Sequence, residues 1–172
     1  MERKLSKIYT PYAILLFTFV IPLISALRAE ENEIKAPSYQ VKVTDGDSLE
    51  INSVRIRLIG IDAPEYTQTC KTNKNKKYYC GQDSIKYLKK LIKNKTITCK
   101  SHQKDQYNRE LCTCYADDLN INKELVRTGH AITYLESDYH KDETYAKSKK
   151  IGIWQGDFIH PRLFRIIKDK EK

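Results

Sequence analysis

Between Val54 and Leu58 apolar side chains alternate with arginines, Val54, Ile56 and Leu58 on one side and Arg55 and Arg57 on the other. Only an extended strand with one buried and one wet face satisfies a period of two, because successive side chains point to opposite faces of a sheet. The same alternation begins at Gln40-Val41-Lys42-Val43 and resumes at Ser48-Leu49-Glu50-Ile51, with Asp45-Gly46-Asp47 between them as a turn. A three-stranded meander follows. Asp62-Ala63-Pro64-Glu65 stops its last strand after Ile61, since Pro64 biases Ala63 away from helix and has no N–H for a ladder.

Beyond a polar, lysine-rich loop over residues 66–79 the period lengthens. Ile85, Leu88, Leu91 and Ile92 recur at three-to-four spacing and predict a helix over 82–93. Residues 96–100 and 110–115 read as two further strands. Residues 120–128 read as a short helix capped by Asn120 or Asn122 and stopped by Gly129. A more polar third helix is expected over 139–150, ending at Gly152. Five short strands with a helix inserted after the third match an α+β fold of the OB type, a five-stranded Greek-key barrel with three helices. A flat α+β sandwich is the alternative, and the barrel is favoured.

At 172 residues the chain has room for one domain and short extras. Residues 39–167 are expected to hold that domain, with 30–38 a linker containing Pro37 and 168–172 a charged, fraying tail. Ahead of it, Ile8 to Leu27 are twenty residues without a charge, preceded by Arg3, Lys4 and Lys7. That layout fits a secretory signal peptide over 1–29 or a membrane anchor through residues 8–27. Either reading exports the rest of the chain, to the periplasm, the medium or the cell surface, because the positive residues stay inside. Lysine and arginine exceed acidic residues by 31 to 22, and the portion beyond residue 29 still carries about +6. Its basicity belongs to the domain and points to a polyanionic partner.

Acids and arginines concentrate where strands end: Asp45-Gly46-Asp47, then Arg57 to Glu65, then Asp105-Gln106-Tyr107-Asn108-Arg109. Singly, each has a bland reading as turn chemistry or a solvated strand end. Together they offer carboxylates and a carbonyl as hard ligands for Ca²⁺ or a similar ion, an acid to act on water, and two arginines to clamp phosphate. Metal-assisted phosphodiester hydrolysis needs that inventory.

Over Val41 to Trp154 the chain resembles the staphylococcal nuclease family. The resemblance rests on Val43–Ser48, Arg57–Glu65, Asp105–Arg109, Asn122–Ala131 and Gly152-Ile153-Trp154, in the family's order and near its spacing. It implies an OB-fold and a Ca²⁺-dependent endonuclease acting on DNA and RNA with little sequence preference, single strands favoured, leaving 3′-phosphate ends. By position, Asp47 and Asp62 correspond to the metal-ligand carboxylates and Ala63 to a backbone-carbonyl ligand that is commonly threonine. Glu65 corresponds to the proposed general base, Arg57 and Arg109 to the phosphate-clamping arginines, and Asp45 to a secondary acid. Tyr107 matches a substrate-pocket tyrosine and Tyr134, across a one-residue gap, a second. Asn108 stands where glycine is usual, and Asn tolerates left-handed geometry.

The rival reading is a non-catalytic OB module, tethered or exported, that binds nucleic acid or protein. Retention of Asp47, Arg57, Asp62, Glu65 and Arg109 weighs against it. The five cysteines suit an exported domain: Cys70 with Cys80 would close the extended loop and Cys99 would reach Cys114 across neighbouring strands, leaving Cys112 over. A zinc site from Cys112, Cys114 and His102 or His130 lacks the usual ligand spacing. A monomer is expected.

Overall fold

Residues 33–37, expected within a linker, are instead an edge strand, β1 (Glu33–Pro37), paired antiparallel along the strand that begins at Thr96. Ile34 packs against the core and Ala36 is buried within it, so this short segment has an apolar face that the sheet covers. The computed structural model describes residues 32–171. The segment expected as signal peptide or anchor, 1–29, lies outside the described residues, among which no helix is long and apolar enough to cross a membrane.

The meander forms as its alternation requires. Strands β2 (Val41–Asp45), β3 (Ser48–Ile51) and β4 (Val54–Leu58) pair antiparallel in sequence order. Asn52 and Ser53, both at positive φ (50° and 65°), make the β3–β4 turn in the twist that two-residue hairpins favour. The extended strand anticipated through Ile61 breaks at Gly60, and β5 (Ile61–Asp62) pairs elsewhere.

The loop after Glu65 carries a small ribbon, β6 (Cys70–Lys71) with β7 (Lys77–Tyr78), and runs into α1 (Cys80–Ile92). Strands β8 (Thr96–Lys104) and β9 (Glu110–Ala116) form the long hairpin, and Asn108 turns it at φ 58°. After β10 (Leu119–Asn120) comes α2 (Ile121–Arg127), whose N-cap is Asn120, accepting from the Lys123 N–H at 2.9 Å. Strand β11 (Ile132–Thr133) pairs with β5, and α3 (His140–Lys149) follows.

Among the described residues the sheet order is β1-β8-β9-β4-β3-β2, with β10 on β9 and only the β4–β9 pairing parallel. This curled, mostly antiparallel sheet with helices against it is the expected OB-type α+β fold. β2, β3, β4, β8 and β9 are the five anticipated strands; β1 and β10 extend them. Leu49, Ile51, Ile56, Leu58 and Ile97 fill the inside of the curl, closed by Leu88 and Ile92 of α1 and Leu125 and Val126 of α2.

Among the described residues the α-helices number four rather than three. α4 (Pro161–Lys170) takes in Lys168 to Lys170, expected as a fraying tail. Pro161 opens it at a position where the missing N–H has no intrahelical partner to lose, and the His160 side chain accepts from the Arg162 N–H. Both expected disulfides are present, Cys70–Cys80 and Cys99–Cys114, and Cys112 is a free, buried thiol on the same face of β9 as Cys114. Burial pushes that thiol up to about 11, so it stays protonated near neutrality.

Candidate active site

Strand ends deliver the acids to one place. β2 ends at Asp45, and the turn through Gly46 sets Asp47 at the mouth of β3. A Cβ on Gly46 would meet the Ala63 Cβ at 2.8 Å and the Ser84 Cβ at 3.0 Å, so only glycine lets this turn lie against the exit of β5. The contact is completed by the Ala63 N–H, which donates to Asp47 Oδ2 at 2.9 Å. Asp62, fully buried, is held beside it because β5 pairs with β11.

Arg57, on the outer-facing phase of β4, reaches both acids. Its Nη1 donates to Asp47 Oδ1 at 2.6 Å and its Nη2 to Asp62 Oδ1 at 2.9 Å. Glu65 lies one turn further on, its N–H donating to the buried Gln68 Oε1. Gln68 Nε2 in turn donates to the Ile159 carbonyl at 2.6 Å, joining the Glu65 turn to the segment that enters α4. Burial, with repulsion from Asp47, pushes the Asp45 carboxyl up to about 6. Burial also raises Asp47, against the pull of Arg57. For Arg57, burial favours loss of the proton, but Asp47 and Asp62 outweigh it and hold the guanidinium charged.

Asp45, Arg57 and Glu65 open onto a cleft of about 820 Å³ that also receives Tyr107, Arg109 and Tyr134. The buried Asp47, Asp62 and Ala63 do not line it, and the two acids are bonded by Arg57, which does. Arg109 does not touch the acids. Its Nε and Nη2 each lie 2.7 Å from Asp105 Oδ2, which holds it at the cleft that Glu65 also lines. Tyr107 is largely exposed, its ring beside the Arg109 guanidinium at 5.5 Å.

Arg165 was not legible in the sequence, and like Arg57 it bonds two members of the acid cluster. From α4 its Nη1 donates to Asp62 Oδ1 (3.0 Å) and Glu65 Oε1 (2.6 Å), and its Nη2 to Asp62 Oδ2 (3.1 Å). Arg162 of the same helix lines the cleft. The available signal was Pro161 followed by Leu163, Phe164, Ile166 and Ile167, an amphipathic helical pattern; nothing in it aims an arginine a hundred residues back.

The donor set has the right chemistry for a hard cation, carboxylate oxygens from Asp47, Asp62 and Glu65 close together. As they stand, guanidinium groups hold those oxygens, and among the described residues no three acidic, histidine or cysteine side chains are poised to enclose a metal.

The family model described as "Staphylococcal nuclease homologue" matches residues 55–156. An uncharacterized endonuclease of Escherichia coli O157:H7 is 36% identical over 137 residues, covering 73% of this chain and 82% of its own. An uncharacterized endonuclease of Haemophilus influenzae is 33% identical over 171 residues, covering 92% and 85%. The succinoglycan biosynthesis protein ExoI of Rhizobium meliloti is 32% identical over 132 residues, covering 74% and 69%. The match spans the meander's last strand, both acids of the β5 exit and the Arg109 turn, and by it the chain belongs to the staphylococcal nuclease family.

Proposed function

We propose that this protein is a Ca²⁺-dependent endonuclease that hydrolyses DNA and RNA with little sequence preference and leaves 3′-phosphate ends. The observation that carries the reading is that Arg57 bonds the buried Asp47 and Asp62 while itself lining, with Glu65 and Arg109, a single cleft. Asp47, Asp62 and the Ala63 carbonyl are the groups that would hold Ca²⁺, which when bound supplies charge neutralisation and Lewis acidity.

The chain's own residues account for the rest. The basic surface gathers the polyanionic backbone. Glu65 takes a proton from the water that attacks phosphorus in line. Arg57 and Arg109 neutralise charge growing on the equatorial oxygens, for which planar guanidinium groups are suited. Tyr107, exposed beside Arg109, offers a ring for a base to stack on without reading it, and Tyr134 lines the same cleft. Single strands present unpaired bases for this, and no step uses a 2′-hydroxyl, so RNA and DNA both serve. A basic N-terminal flank before an apolar run, together with two disulfides, supports export of the domain.

Supercoiled plasmid incubated with the purified protein in Ca²⁺ or in EGTA tests the reading. Nicking in Ca²⁺ alone is expected, with ends that polymerase extends only after phosphatase treatment. Equal nicking in EGTA removes the metal, and binding without cleavage in either condition favours the OB-module reading.

A further inference from the structure

Both oxygens of Asp62 and one of Glu65 accept hydrogen bonds from a single side chain that lies outside the family match. Arg165 makes three charge-assisted contacts of 2.6–3.1 Å there. Asp62 has no exposure to water, so no solvent competes for its oxygens. We propose that Arg165 is the resident counter-cation of the acid cluster, and that a divalent cation enters only by displacing it. The inference rests on the metal reading given above and adds to it: α4 sets the metal affinity of the site.

Two guanidinium groups touch Asp62, and the fold makes only one of them removable. Arg57 projects from the middle of β4, which is paired on both edges, by β3 and by β9. Its side chain is 16% exposed and is held at two acids that themselves pack together. Arg165 sits on the last helix, with a side chain 35% exposed. Pro161 is the buried residue of α4, Phe164 and Arg165 are half-buried, and Leu163, Ile166 and Ile167 face out. Apolar packing therefore contributes little to holding α4, and the ion pairs to Asp62 and Glu65 contribute much.

Competition follows from occupancy. A guanidinium seated on Asp62 and Glu65 repels an incoming cation and occupies its approach to their oxygens, so the metal binds the fraction of molecules in which Arg165 has swung away. Apparent affinity falls by that fraction. The coupling is reciprocal: whatever Arg165 costs the metal, the metal costs the docking of α4. In the docked state Arg165 and Arg162 both line the cleft.

Calorimetric titration of CaCl₂ into the purified chain, compared with Arg165→Gln and Arg165→Lys, is the first measurement. Glutamine cannot contest the acids, and binding about tenfold tighter is expected, with lysine between the two. Hydrogen exchange of the unmodified chain is the second and needs no variant to fold: α4 amides should exchange faster when Ca²⁺ is added. Equal or weaker Ca²⁺ binding by Arg165→Gln, or α4 exchange indifferent to Ca²⁺, overturns the role of Arg165 and leaves the metal reading in place. Absence of Ca²⁺ binding in all three chains overturns both.

Discussion

Gly81 lies against the backbone of Glu65 so closely that a Cβ on it would stand 1.8 Å from the Glu65 carbonyl oxygen and 2.5 Å from its carbon. Neither atom belongs to a flexible side chain that can turn aside. Gly81→Ala must therefore push the Glu65 turn or the start of α1. A displacement of about 1 Å at a reacting group can cost ~10²-fold in rate, and overpacking of this kind costs about 1–3 kcal/mol. Activity and urea denaturation of the variant should show both losses. Wild-type turnover would mean that the position of Glu65 is not critical.

Arg57 ties Asp47 to Asp62, and lysine cannot replace it. One ammonium cannot span two carboxylates as a planar fork does. Arg57→Lys is expected to lose about 10²–10³ in kcat, the scale for removing a donor to a developing oxyanion. Arg127→Lys, on α2 and outside the cleft lining, is the control and should retain turnover.

Glu65→Gln and Asp47→Asn separate two jobs. The glutamine keeps shape but cannot take a proton, so substrate binding should persist while kcat falls ~10²–10⁴-fold. The asparagine removes one negative metal donor and should weaken Ca²⁺ binding as well as rate. Single-stranded DNA affinity, Ca²⁺ affinity and turnover on each variant distinguish these outcomes. Unimpaired turnover in Glu65→Gln would exclude it as the base.

The Cys70–Cys80 bridge closes the ribbon loop onto the first residue of α1, next to Gly81. For a loop of this length the chain-entropy argument gives roughly 3 kcal/mol, and the double serine variant should lose stability of that order. Reduction with dithiothreitol should lower the melting temperature of the wild type and not that of the variant by this bridge's share. Equal melting of the oxidised wild type and the variant would show that the bridge carries no stability.

His130 gives a pH signature. It is stacked on Tyr87 at 3.9 Å, and burial pulls its pKa down to about 4. The unfolded chain titrates near the ordinary 6.5, so between those values unfolding takes up a proton that the native state refuses. The stability this group contributes is complete above about pH 6.5 and is lost as pH falls toward 4, by up to about 3 kcal/mol. Urea unfolding at pH 7.5 and 4.5 should show a smaller acid loss in His130→Gln than in the wild type. The same acid loss in both would place the histidine's proton uptake elsewhere.

Much of this protein was legible in its residues because the relevant physics is local. Alternation over Gln40 to Leu58 names strands and their wet faces, and Asp-Gly-Asp names a turn. Asp47, Asp62, Glu65 and Arg109 sit in or beside turns at strand ends, and Arg57, on the wet phase of β4, reaches the first two. Asn108 turns the β8–β9 hairpin at positive φ, as its tolerance of left-handed backbone allowed. Other features depend on partners distant in the chain. Glu33–Pro37 is a strand only because β8 offers it an edge, and Ile34 and Ala36 are too short a pattern to announce one. Gln68 bonds both the Glu65 turn and the approach to α4, and Arg165 meets acids about a hundred residues before it. Periodicity tells which side of a helix is apolar, but not what charged group waits where that helix lands; only the folded chain brings Arg165 to Asp62.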